Sequence, residues 1–117
     1  MKTMLIYMTA STRREAEKIG QALVEDRLAA CVNILGPIRS LYWWEGKVQK
    51  GQEAAFIAKT PKTKVKRLIA RVKALHSYEC PCIVAVPIEQ GFPAFLKWIE
   101  AETREEVQSP RSKGSIV

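Results

Sequence analysis

The apolar positions of this chain change period several times, and each change marks an element. Lys2 to Thr9 (KTMLIYMT) is a short apolar run of strand-forming residues. From Thr12 the spacing turns helical: Ala16, Ile19, Gly20, Leu23 and Val24 share one face, giving a helix of about four turns to Arg27. Thr12-Arg13-Arg14-Glu15 has the form of a capping box, in which hydroxyl and carboxylate satisfy free backbone donors at the helix start. AACVNIL (29–35) returns to strand character. Gly36-Pro37 then predicts a bulge or bend, because proline cannot donate to a ladder. IRSLYWWEGKV (38–48) resumes the strand and AAFIAKT (54–60) runs back as a long hairpin, with Lys50-Gly51 as the expected turn and Glu45-Gly46 as the alternative.

Thr60-Pro61 places a capping hydroxyl before a proline suited to the first helical position. Val65, Leu68, Ile69, Val72 and Leu75 then line a second helical face, which Pro81 forbids from continuing. CIVAVPI (82–88) reads as the last strand and FPAFLKWIEAETREE (92–106) as a closing helix. Residues 1–106 thus make one domain, and 107–117 a polar, basic tail with too little apolar content to anchor itself. Strand, helix, strand, strand, helix, strand is the split βαβ pattern: an α+β, ferredoxin-like antiparallel sheet with both main helices on one face and an added C-terminal helix. The other sheet face needs a cover, and a second copy of the chain can supply one.

Composition narrows the function. At 117 residues the chain holds one core and not two. It has no run of apolar residues long enough to cross a bilayer, and Met4 to Met8 is too short for an export signal, so the expected compartment is the cytoplasm. Three cysteines are an odd set, for which reduced thiols are the expectation. The net charge of +7 is matched by seven basic residues between Lys59 and Lys73, the solvated face of the second helix; nucleic acid is not an expected partner, since the strand that would stack bases carries only Phe56. No nucleophile elbow or triad pattern is present, so catalysis is not expected.

HSYECPC (76–82) gathers the single histidine and two of the cysteines. His76, Cys80 and Cys82 offer an imidazole and two sulfurs, a donor set suited to copper(I) or zinc. The competing reading makes the cysteines small hydrophobes leading into a strand and His76 the polar end of a helix. Cys31 joins the candidate ligands only if folding brings it near the other thiols. Tyr42, Trp43 and Trp44 pose a separate problem, because adjacent strand residues face opposite ways and cannot all enter one core. Some of them are expected to lie at a subunit interface.

LAACVNIL (28–35), SLYWWEGKV (40–48), AKT (58–60) and LHSYECP (75–81) together resemble the CutA divalent-cation tolerance family over essentially residues 3 to 103. The resemblance implies a ferredoxin-like homotrimer similar to the PII signalling proteins, binding copper and other divalent cations. It also implies that Glu45, Lys59, His76, Tyr78 and Glu79 gather in an inter-subunit cleft. Cys31, His76, Tyr78 and Glu79 match family positions, whereas Ser77, Cys80 and Cys82 depart from them, a thiol standing at 82 in place of an acid. The alternative function is a PII-like regulator or scaffold that binds a small effector or partner protein in that cleft.

Overall fold

A computed structural model describes residues 2–104. The elements are β1 (Thr3–Ala10), α1 (Arg13–Glu25), β2 (Cys31–Trp44), β3 (Lys47–Pro61), α2 (Val65–Leu75), β4 (Ile83–Ile88) and α3 (Pro93–Glu102), with a short 3-10 turn, Lys62–Lys64, leading into α2. All strands join one antiparallel sheet in the order β2-β3-β1-β4, which is the ferredoxin-like arrangement. The expected tail and the last two residues of the expected closing helix lie outside the described residues.

Alternation along β1 sends Met4, Ile6, Met8 and Ala10 to one face, where Ala54, Phe56 and Ala58 of β3 join them. Ala16, Ile19 and Leu23 from α1, with Leu68 and Val72 from α2, close over that layer. Gly20 lies where α1 meets β2, and a Cβ there would stand 2.8 Å from Val32 Cγ1. The helix therefore approaches more closely than any side chain would allow. α1 ends with Arg27 at φ 61°, and the Leu28 and Ala29 N–H groups both donate back to the Leu23 carbonyl. The opposite sheet face is covered in part by α3, whose Ile99 is fully buried and whose Glu102 pairs with Arg27 at 3.0 Å. Val84 and Val86 on the same sheet face stay half exposed.

The structure corrects two local expectations. The hairpin turns at Glu45-Gly46, with φ of 52° and 78°, and Gly51 runs within β3 opposite Ser40. Two consecutive left-handed residues match the strand twist of a two-residue hairpin, so one glycine beside a tolerant neighbour suffices. Thr60 does not cap α2 either. β3 continues through Pro61, and the Thr60 hydroxyl donates to the Leu28 carbonyl at 2.7 Å, satisfying a buried acceptor instead of a helix end.

The break at Gly36 is the bulge anticipated there, and it resets the faces of β2. Ile34 pairs with Phe56 on the helix side, but Gly36 pairs with Ala55 on the other, leaving Leu35 as the extra residue. Beyond it, Ile38, Ser40, Tyr42 and Trp44 oppose Glu53, Gly51, Gln49 and Lys47, away from the helices. Leu41 and Trp43 take the helix side.

Candidate functional site

The bulge and the 76–82 loop together build a cleft of about 580 Å³. Tyr7 and Thr9 of β1 form its floor, the even-numbered residues of the hairpin from Ile38 to Trp44 one wall, and Tyr78, Glu79, Cys80 and Cys82 the other, with Glu53 between. Strand pairing places the floor and first wall. The second wall is a loop, and side-chain bonds must hold it.

Glu15 supplies most of them. Its own N–H donates to Thr12 Oγ1 at 3.1 Å, one half of the capping box. The carboxylate departs from the pattern: Oε1 accepts from Ser11 N and Ser11 Oγ at 2.9 and 2.7 Å, and both oxygens accept from Ser77, Oε2 from the backbone N–H at 2.7 Å and Oε1 from the hydroxyl at 3.0 Å. α1 is thereby tied to the loop 62 residues later in the chain. Burial pushes this carboxyl up, but the bonds from Ser11 and Ser77 outweigh it and hold the group down at about 2, against an ordinary 4.5. The folded state therefore favours the carboxylate, its stabilisation complete above pH 4.5 and lost as pH falls toward 2. Glu15→Gln is expected to cost about 1.5 to 3 kcal/mol near neutrality, the range for hydrogen bonds to a charged acceptor. In urea titrations the gap between variant and parent should close as the pH approaches 2; a gap constant across that window would contradict the clamp.

His76 is the second pin. Its side chain is fully buried; Nε2 donates to the Thr9 carbonyl at 2.7 Å and Nδ1 accepts from the Tyr78 N–H at 3.1 Å. That pairing assigns the proton to Nε2 and occupies the Nδ1 lone pair. The ring packs on Tyr78 with centroids 4.7 Å apart, and Tyr78 then reaches over the cleft to donate to Glu53 Oε2 at 2.8 Å. Ser40 donates to the other Glu53 oxygen. Burial, with the Glu53 hydrogen bond and negative charge adding to it, raises the Tyr78 phenol well above the ordinary tyrosine range. Burial also raises the Cys82 thiol, and the Glu53 charge adds to it.

The residues singled out from the sequence divide into two groups. Tyr78, Glu79, Cys80 and Cys82 converge on the cleft with Tyr42 and Trp44. His76 stands behind the wall with both nitrogens engaged. Cys31 does not join the other thiols: it is buried opposite Lys59, six residues along β3 from Glu53, or about 20 Å at the usual strand rise. Burial raises its thiol, partly offset by the Lys59 charge. Lys59 is itself engaged away from the cleft, donating to Asn33 Oδ1 at 2.8 Å and lying 5.7 Å from the Phe95 ring centroid. Glu45 is exposed at the hairpin turn. Trp43, the most exposed of the three adjacent aromatics, faces away from the cleft. Among the described residues no three histidine, cysteine or acidic side chains are grouped to hold a metal. Glu53, Ser40 and the tie from Glu15 to Ser77 escaped the sequence reading; the capping box marked Glu15 at the helix start, where it does bond with Thr12 and the Ser11 N–H, but carried no signal of the distant loop partner.

Fold and cleft define a class first: a ferredoxin-like α+β domain with a ligand-sized cleft on the sheet face opposite its two main helices. Residues 4–102 match the family model of the CutA1 divalent ion tolerance protein, and the chain belongs to that family. It is 52% identical over 95 residues to the Divalent-cation tolerance protein CutA of Archaeoglobus fulgidus, covering 81% of this chain and 92% of that one. The solved structure of the periplasmic divalent cation tolerance protein CutA from that organism superposes with a TM-score of 0.85 at 48% identity, covering 87% of this chain and 99% of the other. CutA1 from Oryza sativa gives 0.87 at 37% identity, covering 91% and 97%. The chloroplastic rice protein is longer: the match takes in 88% of this chain and 58% of that relative. Among the described residues no helix is long and apolar enough to cross a membrane.

Proposed function

We propose that this protein is a homotrimer that binds divalent or soft metal ions, copper foremost and zinc second, and contributes to metal tolerance. One observation carries the reading: Cys80 and Cys82 are free thiols on the same wall of one cleft, beside Glu79. Paired sulfurs favour copper(I) or zinc over harder cations. The two thiols leave room for further donors from a neighbouring copy or from solvent, as an exchangeable site requires. Free, exposed thiols also suit a reducing compartment, in keeping with the cytoplasm.

Titration of copper(I) into the reduced protein under anaerobic conditions tests the site. Cys80→Ser and Cys82→Ser are each expected to weaken binding by about tenfold or more, and affinity should fall as pH is lowered, because the metal must displace thiol protons. Unchanged affinity in both variants removes the thiols from the site. A second reading, the PII-like regulator with a small effector in the cleft, is favoured by the cleft itself, whose size and aromatic lining suit an organic molecule.

A further inference from the structure

The outer face of α2 carries charge of one sign, for no acidic residue occurs between Lys59 and Leu75. Leu68 and Val72 enter the core, so the opposite side of the helix points away from the sheet. A neighbouring copy seated on the other sheet face leaves it open. Lys66 and Lys73 fall within about 20° of each other around the helix axis, and Lys62 precedes them in the 3-10 turn. All three are exposed, and among the described residues none of them has an ion-pair partner. Asp26, the acid at the end of α1, is taken by Arg71 at 3.0 Å. Ile69, 37% exposed, interrupts the lysine row between 66 and 73. Beside it Ala70 and Ala74 border a shallow depression of about 450 Å³ that Leu28 also lines. These features select among anionic partners. A membrane surface asks for several apolar side chains to enter its acyl boundary, and here Ile69 is the only large one. Single-stranded nucleic acid asks for aromatic side chains beneath its bases, and α2 has none. A protein segment with both acidic and apolar side chains matches the face in full.

We propose that α2 docks an extended, acidic segment of a partner protein, its carboxylates on Lys62, Lys66 and Lys73 and an apolar side chain against Ile69. The lysine spacing sets the pattern of that segment. Lys62 to Lys66 spans about 6 to 7 Å and Lys66 to Lys73 about 10 Å along the axis. An extended chain covers those distances in two and three residues, at about 3.3 Å each. The partner's acids therefore stand two and then three residues apart, with the apolar residue in the longer interval. This surface shares no residue with the cleft and needs neither thiol, metal nor effector.

A fluorescein-labelled peptide with glutamates at that spacing and a leucine in the longer interval provides the test, titrated into the whole protein with fluorescence anisotropy as readout. It is expected to bind with micromolar affinity at low salt and to weaken as salt screens the contacts. Lys66→Glu should weaken it by about tenfold. Lys97→Glu, the same change in net charge made on α3 across the sheet, should weaken it by less than about twofold. Circular dichroism and sedimentation matching the parent in both variants ensure that lost binding reports the surface. Equal weakening by the two variants would reduce the effect to net charge and overturn the assignment to α2. A peptide of the same composition with its glutamates clustered, bound as tightly, would overturn the spacing. Polyuridylate RNA or phosphatidylserine vesicles bound more tightly than the peptide, with the same loss in Lys66→Glu, would overturn the protein partner in favour of nucleic acid or membrane. Absence of peptide binding at about 1 mM would overturn the docking face altogether.

Discussion

Trp43→Asp is expected to sediment as a monomer at micromolar concentrations, where the parent protein is expected to sediment as the proposed trimer. Trp43 is 74% exposed, and Leu41 and Val48 on the same side of the hairpin are 65% and 54% exposed. Tyr42 and Trp44 project from the opposite side, so both surfaces of the ribbon are apolar near its end. Shielding the exposed part of one tryptophan is worth about 3 to 5 kcal/mol at the usual area coefficient. Burying an unpaired aspartate in its place adds a further penalty of several kcal/mol. In a closed ring each contact recurs in every copy, so the losses accumulate. The variant's own fold should survive, because Trp43 contributes nothing to the core of its own chain, and circular dichroism checks this. A Trp43→Asp protein that keeps the parent's sedimentation coefficient would remove the hairpin from the assembly.

Phe56→Ala is expected to destabilise the domain by about 3 to 5 kcal/mol, a large share of the roughly 5 to 15 kcal/mol typical of a domain. Phe56 is the largest fully buried side chain among the described residues. It sits on β3, an inner strand, facing Met8 on one side and Ile34 on the other. Both neighbours are held by their own strand pairing, which limits how far they can collapse into the space left behind. Urea midpoints at a fixed protein concentration measure the loss, since assembly shifts apparent stability. A loss below about 1 kcal/mol would mean that the core around Phe56 is not packed as described.

The elements were legible because their signals are local. Ala16, Ile19 and Leu23 repeat at helical spacing, and Met4, Ile6 and Met8 alternate, so each segment declares its buried face before any partner is known. The bulge was legible from Gly36-Pro37 for the same reason. The hairpin turn was only partly so: Lys50-Gly51 and Glu45-Gly46 carry similar local signals, and strand pairing chose between them. The site was half legible. Clustering in sequence drew attention to HSYECPC, and four of its residues do line the cleft, but clustering cannot say whether an imidazole is a ligand or a pin. His76 is buried with both nitrogens bonded because Thr9, 67 residues earlier, offers a carbonyl at that spot.

Periodicity along the chain determined the order of strands and helices, the stripe that becomes the core and the face the two helices cover, because those properties follow from how each segment separates apolar from polar side chains. Register and distant contact decided the rest. The residue inserted at Leu35 turned Tyr42 and Trp44 toward the cleft and Trp43 away from it, a choice invisible in a run of three adjacent aromatics. Glu15 found Ser77 and Tyr78 found Glu53 across 62 and 25 residues of chain, and Cys31 was carried out of reach of the other thiols. Side-chain hydrogen bonds between such distant partners leave no periodic trace, since they depend on where whole strands and loops come to rest.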